Sequence, residues 1–226
     1  MKKLNLETMS LREVNATLQN KKDTDCKDWE ILNPKGAHAI AVGLQKKINV
    51  NINGSTGYYC GGMNKEASIT INGSTGPGVA ENMMSGTVTV KGNASQYAGA
   101  TARGGMLIVE GNASSRCGIS MKGVDIVVKG NIGHMSCFMG QSGNLVVLGD
   151  AGLSLGDSIY EAKIFVRGKV KSLGADCVEK KLKKDDITLL KNLLIKSNCN
   201  LDPSEFKKYG SARKLYNFNI NNVSDY

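Results

Sequence analysis

The sequence predicts an all-β fold: a right-handed, single-stranded β-helix of about seven 19-residue coils, with short α-helical caps at both ends. Three observations predict it. Glycine recurs every 19 residues, aliphatic residues occupy fixed positions before these glycines, and small residues occupy fixed positions after them. A period with one apolar strand and several small-residue corners is typical of a β-solenoid.

Glycine anchors the repeat. A charged residue followed by Gly-Asn-Ala-Ser occurs at 91–95 and again at 110–114. Steps of 19 residues from these copies reach glycine at seven consecutive positions, with no insertion or deletion. These anchor glycines are Gly54, Gly73, Gly92, Gly111, Gly130, Gly149 and Gly168. Glycine in every coil indicates a corner or a close approach of two backbones.

Each anchor glycine follows a predicted strand. The residues four and two positions before it are aliphatic in every coil, beginning with Val50 and Ile52. Alternating apolar positions rich in β-branched residues predict a strand that buries one face. With coils about 4.8 Å apart, the stack would measure roughly 34 Å. Left-handed hexapeptide solenoids advance in multiples of six residues, and 19 is not such a multiple, so we predict right-handed coiling.

Two positions after the anchor also carry a pattern. The seventh residue after it is Gly, Ala or, at Cys137, Cys in all seven coils, which predicts a tight corner. The residue directly after it is Asn in three consecutive coils, at Asn93, Asn112 and Asn131. Stacked asparagines predict a hydrogen-bonded ladder.

The flanking segments are predicted to cover the exposed ends of the coil stack, because unpaired strand edges need protection. We divide the chain into an N-terminal segment with a helical cap (1–47), a β-helix domain (48–181) and a helical C-terminal segment with a tail (182–226). Helical spacing of apolar residues predicts helices over 10–20, capped by Ser10, and over 183–198.

The last part of the chain gives weaker patterns. The stretch 202–210 is predicted to form a short helix that Gly210 closes. The tail 211–226 has no strong period, and its Tyr216 and Phe218 predict docking onto another chain.

Composition excludes several classes. The net charge is +9, of which +7 lies in residues 163–226, but no nucleic-acid motif accompanies it, so a solvated lysine face is favoured. The chain begins without a signal peptide and lacks a membrane-length apolar run, which predicts a cytoplasmic protein without membrane contact. Six cysteines without a CxxC pair, and only two histidines, argue against a zinc or iron–sulfur site.

No catalytic constellation stands out. The carboxylates of the coils fall in different phases of the 19-residue period, so they do not form the cluster that a polysaccharide-cleaving β-helix needs. His134 and Cys137 are a conceivable base and nucleophile, but the small-residue position of Cys137 favours a buried slot. His38 has no recognisable partner. We therefore predict no catalytic, cofactor-binding or metal-binding residue in this chain.

The spacing G-x-x-G-x-x-x-G, at Gly54, Gly57 and Gly61 and in looser form in later coils, resembles the GXGXG domain. That domain forms the C-terminal part of the large subunit of glutamate synthase, and the resemblance implies a right-handed β-helix of seven turns. A related domain is a subunit of formylmethanofuran and molybdenum formate-type dehydrogenases. The resemblance covers essentially the whole chain.

The stretches 33–44, 174–180 and 205–218 are similar to the stand-alone version of this domain. That version is one of three separate subunits in glutamate-synthase-like enzymes, including N-methylglutamate synthase. The implied partners are an amidotransferase-like subunit and a barrel subunit that carries FMN and an iron–sulfur cluster. Lys2 does not fit the first of these subunits, which uses an N-terminal cysteine.

The resemblance implies a non-catalytic structural subunit of a flavin-dependent oxidoreductase complex for glutamate or N-methylglutamate synthesis. The chain would hold the two active subunits in register and bind no cofactor itself. Two alternatives stay open. One is an independent β-helix enzyme or binding module for a carbohydrate or small substrate, and the other is a subunit of a formylmethanofuran-dehydrogenase-like complex.

Overall fold

Each coil contributes one strand that pairs in parallel with the strand of the next coil. The computed structural model describes residues 1–20 and 26–213, and within them the strands form one 11-stranded sheet. The strands are β1 (Lys2–Asn5), β2 (Asp28–Leu32), β3 (Asn49–Asn53), β4 (Ser68–Ile71), β5 (Thr87–Val90), β6 (Met106–Val109), β7 (Lys122–Val128), β8 (Ser142–Val147), β9 (Lys163–Val166), β10 (Cys177–Lys180) and β11 (Lys207–Ser211). The helices are α1 (Leu11–Gln19), α2 (Lys184–Lys196) and a 3-10 helix (Pro203–Glu205).

The predicted fold class is confirmed: the chain is a β-solenoid of about seven turns. From β3 to β9 the register places residues opposite those 19 positions later, as in Val50 opposite Ile69, except where a bulge in β7 sets Lys122 opposite Ser142. A second, one-residue ladder with the same offset runs from Thr56 to Val170. The aliphatic residues four and two positions before the anchors are at most 1% exposed in every coil. Stacking of these columns builds the main core.

The anchor glycines are needed because the backbones of neighbouring coils come close together there, and not because their dihedral angles require glycine. Apart from Gly54, none of them has a positive φ. A Cβ on Gly73 would lie 2.6 Å from both the Gly54 carbonyl carbon and the Ser55 nitrogen. A Cβ on Gly92 would lie 2.5 Å from the Oγ of Ser74. Each coil therefore sits too close to its neighbour at this point for any side chain.

The predicted asparagine ladder is present, and its hydrogen bonds run from backbone to side chain. The backbone N–H of Asn112 donates to Oδ1 of Asn93 at 2.8 Å, and that of Asn131 donates to Oδ1 of Asn112 at 2.8 Å. The same bond between neighbouring coils uses oxygens of Ser55, Ser74, Asn131 and Asp150. The ladder thus satisfies one otherwise unpaired amide in each coil.

Two strands precede the coils that the anchors predict. β2 pairs with β3 at an offset of 21 residues, and β1 pairs with β2 at an offset of 27. Helix α1 lies between β1 and β2 in the sequence. Its residues lengthen this coil, so the two strands do not follow the 19-residue period.

Helix α1 forms as predicted, with a capping box between Ser10 and Glu13. It covers the N-terminal end of the stack, where its side chains supply hydrogen bonds that a further coil would otherwise make. Asn15 donates from Nδ2 to the Ala39 carbonyl at 2.8 Å and accepts at Oδ1 from the Ala41 amide at 2.9 Å. These two backbone groups would otherwise face an absent neighbour.

Helix α2 also forms as predicted, but it lies along the outer face of the sheet. Its residues Leu190, Leu193 and Leu194 pack in a second hydrophobic cluster with sheet residues that point away from the main core. Those sheet residues are Met106, Ile108, Val127, Val146 and Phe165. The outward column is polar in earlier coils, at Asn51, Thr70 and Thr89, so only the later coils offer α2 an apolar surface.

The prediction of a helix over 202–210 is wrong beyond its first turn. The 3-10 helix ends at Glu205, and β11 follows as a strand. β11 pairs antiparallel with β9 on one side and with β10 on the other. This pairing protects the last parallel strand edge, a tertiary requirement that overrides the local pattern. The predicted docking tail falls almost wholly on residues 214–226, outside the described residues.

Candidate interaction face

The corners of the coils have a regular left-handed backbone. In the six coils anchored by Gly54 to Gly149, the fifth, seventh and ninth residues after the anchor all have φ between 50° and 75°. Most of these residues are not glycine, and a left-handed conformation costs such a residue roughly 1–2 kcal/mol. We call the outward side chains at the fourth, fifth, eighth and ninth positions the corner face.

Hydrogen bonds between coils explain this conformation. In the coil of Gly54, the amides of Tyr59 and Met63 donate to carbonyls of the following coil, at 2.9 and 2.8 Å. The amide of Gly61, between them, donates to the Ile40 carbonyl of the preceding coil at 2.9 Å. Left-handed residues at alternate positions thus satisfy amides in both directions along the stack.

The seventh position explains the column of small residues in the sequence. A Cβ on Gly61 would lie 3.3 Å from Cδ1 of Ile69 in the core. Cys137 occupies this column with φ of 59° and is fully buried, so the prediction of a buried small-residue slot is confirmed.

Some coils present large apolar side chains to solvent at the fifth and ninth positions. Tyr59 and Met63 are each 51% exposed, and Met139 is 38% exposed. At the fourth position, Tyr58 is 49% exposed and Leu153 is 45% exposed. These side chains combine exposed apolar surface with, at Tyr59, Met63 and Met139, a left-handed backbone that glycine would adopt without strain. Tyr58, Tyr59 and Met63 lie in one coil, which makes their part of the corner face the candidate interaction site.

Aromatic rings cluster at the N-terminal part of the corner face. The rings of His38 and Tyr58 stack with centroids 4.4 Å apart and planes 9° apart. The backbone N–H of Tyr58 donates to Nδ1 of His38 at 3.0 Å, and the Tyr59 ring meets Tyr58 edge-on at 6.5 Å. The sequence showed no partner for His38, because its partner lies 20 residues away on the next coil. Sequence reasoning therefore missed this cluster.

A carboxylate lies beside the cluster. A Cβ on Gly78 would lie 2.7 Å from Cδ1 of Tyr59 and 2.9 Å from Oε2 of Glu81, so the ring and the carboxylate flank the same glycine. Burial raises the pKa of Glu81. Within residues 1–20 and 26–213, its carboxylate makes no hydrogen bond and no ion pair.

Glu110, by contrast, has a structural role. Glu110 binds Lys91 at 3.0 Å and Lys129 at 3.3 Å. Burial raises the pKa of Glu110, but hydrogen bonds from the two lysines outweigh it and hold the pKa below the ordinary value. Because Glu110 is paired with these lysines, it is not available as a catalytic acid or base.

The structure does not bring His134 and Cys137 together as a reactive pair. His134 is exposed, whereas the Cys137 thiol is buried in the core. Burial, together with Cys117 and Cys177 nearby, raises the pKa of the Cys137 thiol above its ordinary range. Burial also raises the pKa of Cys60 and of Cys117 to about 12. These thiols are not nucleophiles at neutral pH.

In the described part of the chain, no group of three or more His, Cys, Asp and Glu side chains is placed to hold a metal ion. Neither helix found in those residues has the length and apolarity to cross a membrane.

The fold is a β-solenoid with a glycine at the same position of each coil and left-handed residues at its corners. The family model of the GXGXG motif matches residues 31–197. The chain belongs to the GXGXG family. It is also 60% identical over 225 residues to Protein GlxC of Rhizobium meliloti (strain 1021), a match that covers 99% of each chain.

Proposed function

We propose that this chain is a non-catalytic structural subunit of a glutamate-synthase-like, flavin-dependent oxidoreductase complex. It holds an amidotransferase-like subunit and an FMN-carrying subunit in register for glutamate or N-methylglutamate synthesis. Membership of the GXGXG family supports this assignment, as does the match to Protein GlxC along the whole of both chains. The complex is expected in the cytoplasm.

The observation that carries the proposal is the corner face. Its exposed Tyr59, Met63 and Met139 sit on a left-handed backbone that hydrogen bonds hold rigidly from coil to coil. A preorganised apolar surface loses little entropy on binding, which suits an interface with other subunits. A rigid spacer is also what two active sites need when a released amine must pass from one to the other.

Under this proposal the cofactors belong to a partner. FMN and an iron–sulfur cluster are expected in the barrel subunit. Glu110 is held in ion pairs between coils and the Cys137 thiol is buried, so neither is available to bind a cofactor.

The proposal is tested by purifying the tagged full-length chain from its native cells. We expect an amidotransferase-like subunit and a flavin-bearing barrel subunit in stoichiometric amounts, with flavin absorbance in the visible range. Glutamine-dependent synthesis of glutamate or N-methylglutamate by the purified complex then names the amine. Recovery with a molybdopterin-binding subunit indicates the formylmethanofuran-dehydrogenase-like alternative. A colourless chain recovered alone contradicts the proposal.

A further inference from the structure

We propose that Tyr59 and Glu81 form a receptor for one arginine side chain of a partner subunit. The receptor lies within an aromatic–carboxylate patch of the corner face made by His38, Tyr58, Tyr59, Met63 and Glu81. This inference rests on the proposed function, because it names the contact that one partner makes.

The first observation is a carboxylate without a partner among the described residues of this chain. Glu81 is half-buried, and its carboxylate finds no donor among the residues that the structure describes. Asp157 occupies the same position four coils later and is satisfied, since it accepts from the Ser158 hydroxyl at 2.8 Å and the Ala175 amide at 3.2 Å. Because the Glu81 side chain is partly exposed, a cation from outside the chain can reach its carboxylate and pair with it.

The second observation is the ring beside that charge. Tyr59 and Glu81 approach the same Gly78, and the ring and the carboxylate together fill the space where a side chain on that glycine would lie. The Tyr59 ring lies edge-on to Tyr58, with their planes 79° apart. An aromatic face next to a carboxylate is the arrangement that binds a cation by charge and by cation–π attraction together.

The third observation is strain. Tyr59 has φ of 59° and Met63 has φ of 53°, and both side chains are half exposed. Gly78 occupies the equivalent position of the next coil with the same left-handed backbone, so this position does not require a large side chain. Large side chains at these two strained positions add nothing to the core, so we assign them to binding.

Arginine fits the patch better than lysine or a free amine. Its planar guanidinium stacks on an aromatic ring and offers a fork of N–H donors to a carboxylate, whereas an ammonium acts as a point charge. An arginine fixed on a protein surface also brings apolar surface to Tyr58 and Met63, which a small free cation does not.

The test measures the affinity of the full-length chain for the partner subunits identified by purification. Tyr59→Gly removes the ring at a left-handed position where glycine is unstrained, and Glu81→Gln removes the charge. Tyr97→Gly is the matched control, because Tyr97 occupies the same position two coils later with φ of 63°, and Ile119 stands there in the place of Glu81.

We expect Tyr59→Gly and Glu81→Gln each to raise the dissociation constant about tenfold or more. The double variant should lose less than the product of the two effects, because both groups contact one guanidinium. Tyr97→Gly should stay within about twofold of the wild type. Thermal melting of the isolated variants should match or exceed the wild type, which separates binding from folding.

Arginine-to-glutamine variants of the partner then identify the occupant. One of them should lose affinity to the same extent and show no further loss when combined with Glu81→Gln. Unchanged affinity in Tyr59→Gly and Glu81→Gln, with the flavin partner still bound by the wild type, overturns this inference and leaves the proposed function intact. Absence of any flavin partner overturns both. Binding of methylguanidinium or methylammonium to the free chain, with partner affinity unaffected by the variants, would identify a small-cation site and also overturn it.

Discussion

The strand side and the corner side of each coil obey different rules. On the strand side, residues such as Ile69 and Val88 have ordinary extended backbones and are at most 1% exposed. On the corner side, residues such as Tyr59 and Met63 have left-handed backbones and are half exposed. One side gains free energy by burying apolar surface, and the other spends part of it on strain and exposure.

The difference teaches where stability and binding reside in this solenoid. A repeat needs only small side chains at its corners, as Gly61 and Ala80 show at the seventh position. Under the proposed function, the large apolar side chains at the outward corner positions contact partner subunits. Substitutions on the strand side should change folding, and those on the corner face should change assembly.

Glycine substitution gives the largest expected contrast. Gly73→Ala places a Cβ 2.6 Å from backbone atoms of Gly54 and Ser55. Because neither backbone can move away, we expect the free energy of unfolding to fall by about 4 kcal/mol, or the variant not to fold. Gly61→Ala meets only the end of the Ile69 side chain at 3.3 Å and should cost about 1 kcal/mol for its left-handed backbone. Urea denaturation of both variants measures the contrast, and equal losses would contradict it.

Truncation of a large side chain on each side sharpens the comparison. Ile126→Ala opens a cavity in the core, where Ile126 is fully buried, and should cost about 3 kcal/mol. Met139→Gly removes an exposed side chain from a residue with φ of 51°, so stability should stay the same or rise. Denaturation midpoints of the two variants check this, and a large loss in Met139→Gly would show that the corner side chains support folding.

Acid should release helix α2 from the outer face of the sheet. Burial raises the pKa of Asp186, but hydrogen bonds from the Lys208 ammonium, the Lys183 amide and the Lys163 ammonium outweigh it and hold the pKa below the ordinary value of 3.8. Because the pKa is lowered in the folded state, this stabilisation is present above pH 3.8 and is lost as pH falls through the lower, folded-state pKa.

We therefore expect hydrogen exchange in residues 184–196 to rise in this acidic window before it rises in the strands. Asp186→Asn should raise it already at neutral pH, at a cost of about 2 kcal/mol. Asp185→Asn, which alters an exposed neighbour on the same helix, is the control. Simultaneous opening of helix and strands in the wild type would show that α2 is part of the core unit.

The ladder of side-chain acceptors gives the smallest expected effect. Asn112→Ala removes the oxygen that accepts from the Asn131 amide at 2.8 Å, and it should cost about 1 kcal/mol. Ser114→Ala changes an exposed side chain two residues along the same coil whose hydroxyl makes no hydrogen bond within residues 1–20 and 26–213, so it should change stability little. A denaturation series of the two variants separates the ladder from the general loss of polarity.

The sequence by itself predicted the features that every coil shares, because the same packing requirement recurs every 19 residues. The glycine and aliphatic columns predicted the strands, their 19-residue register and the buried core, because each coil must meet its neighbour in the same way. Ser10 predicted the start of α1, and the structure shows it in a capping box with Glu13 that involves only nearby residues.

The tertiary structure decided whatever depends on the neighbouring coil. The stacking of His38 on Tyr58, the position of α2 and the conversion of 207–211 into a strand all arise from groups distant in sequence. The left-handed corners were invisible for the same reason, since Tyr59 and Met63 have no intrinsic preference for that conformation. Their amides adopt it because their hydrogen-bond acceptors lie on the next coil.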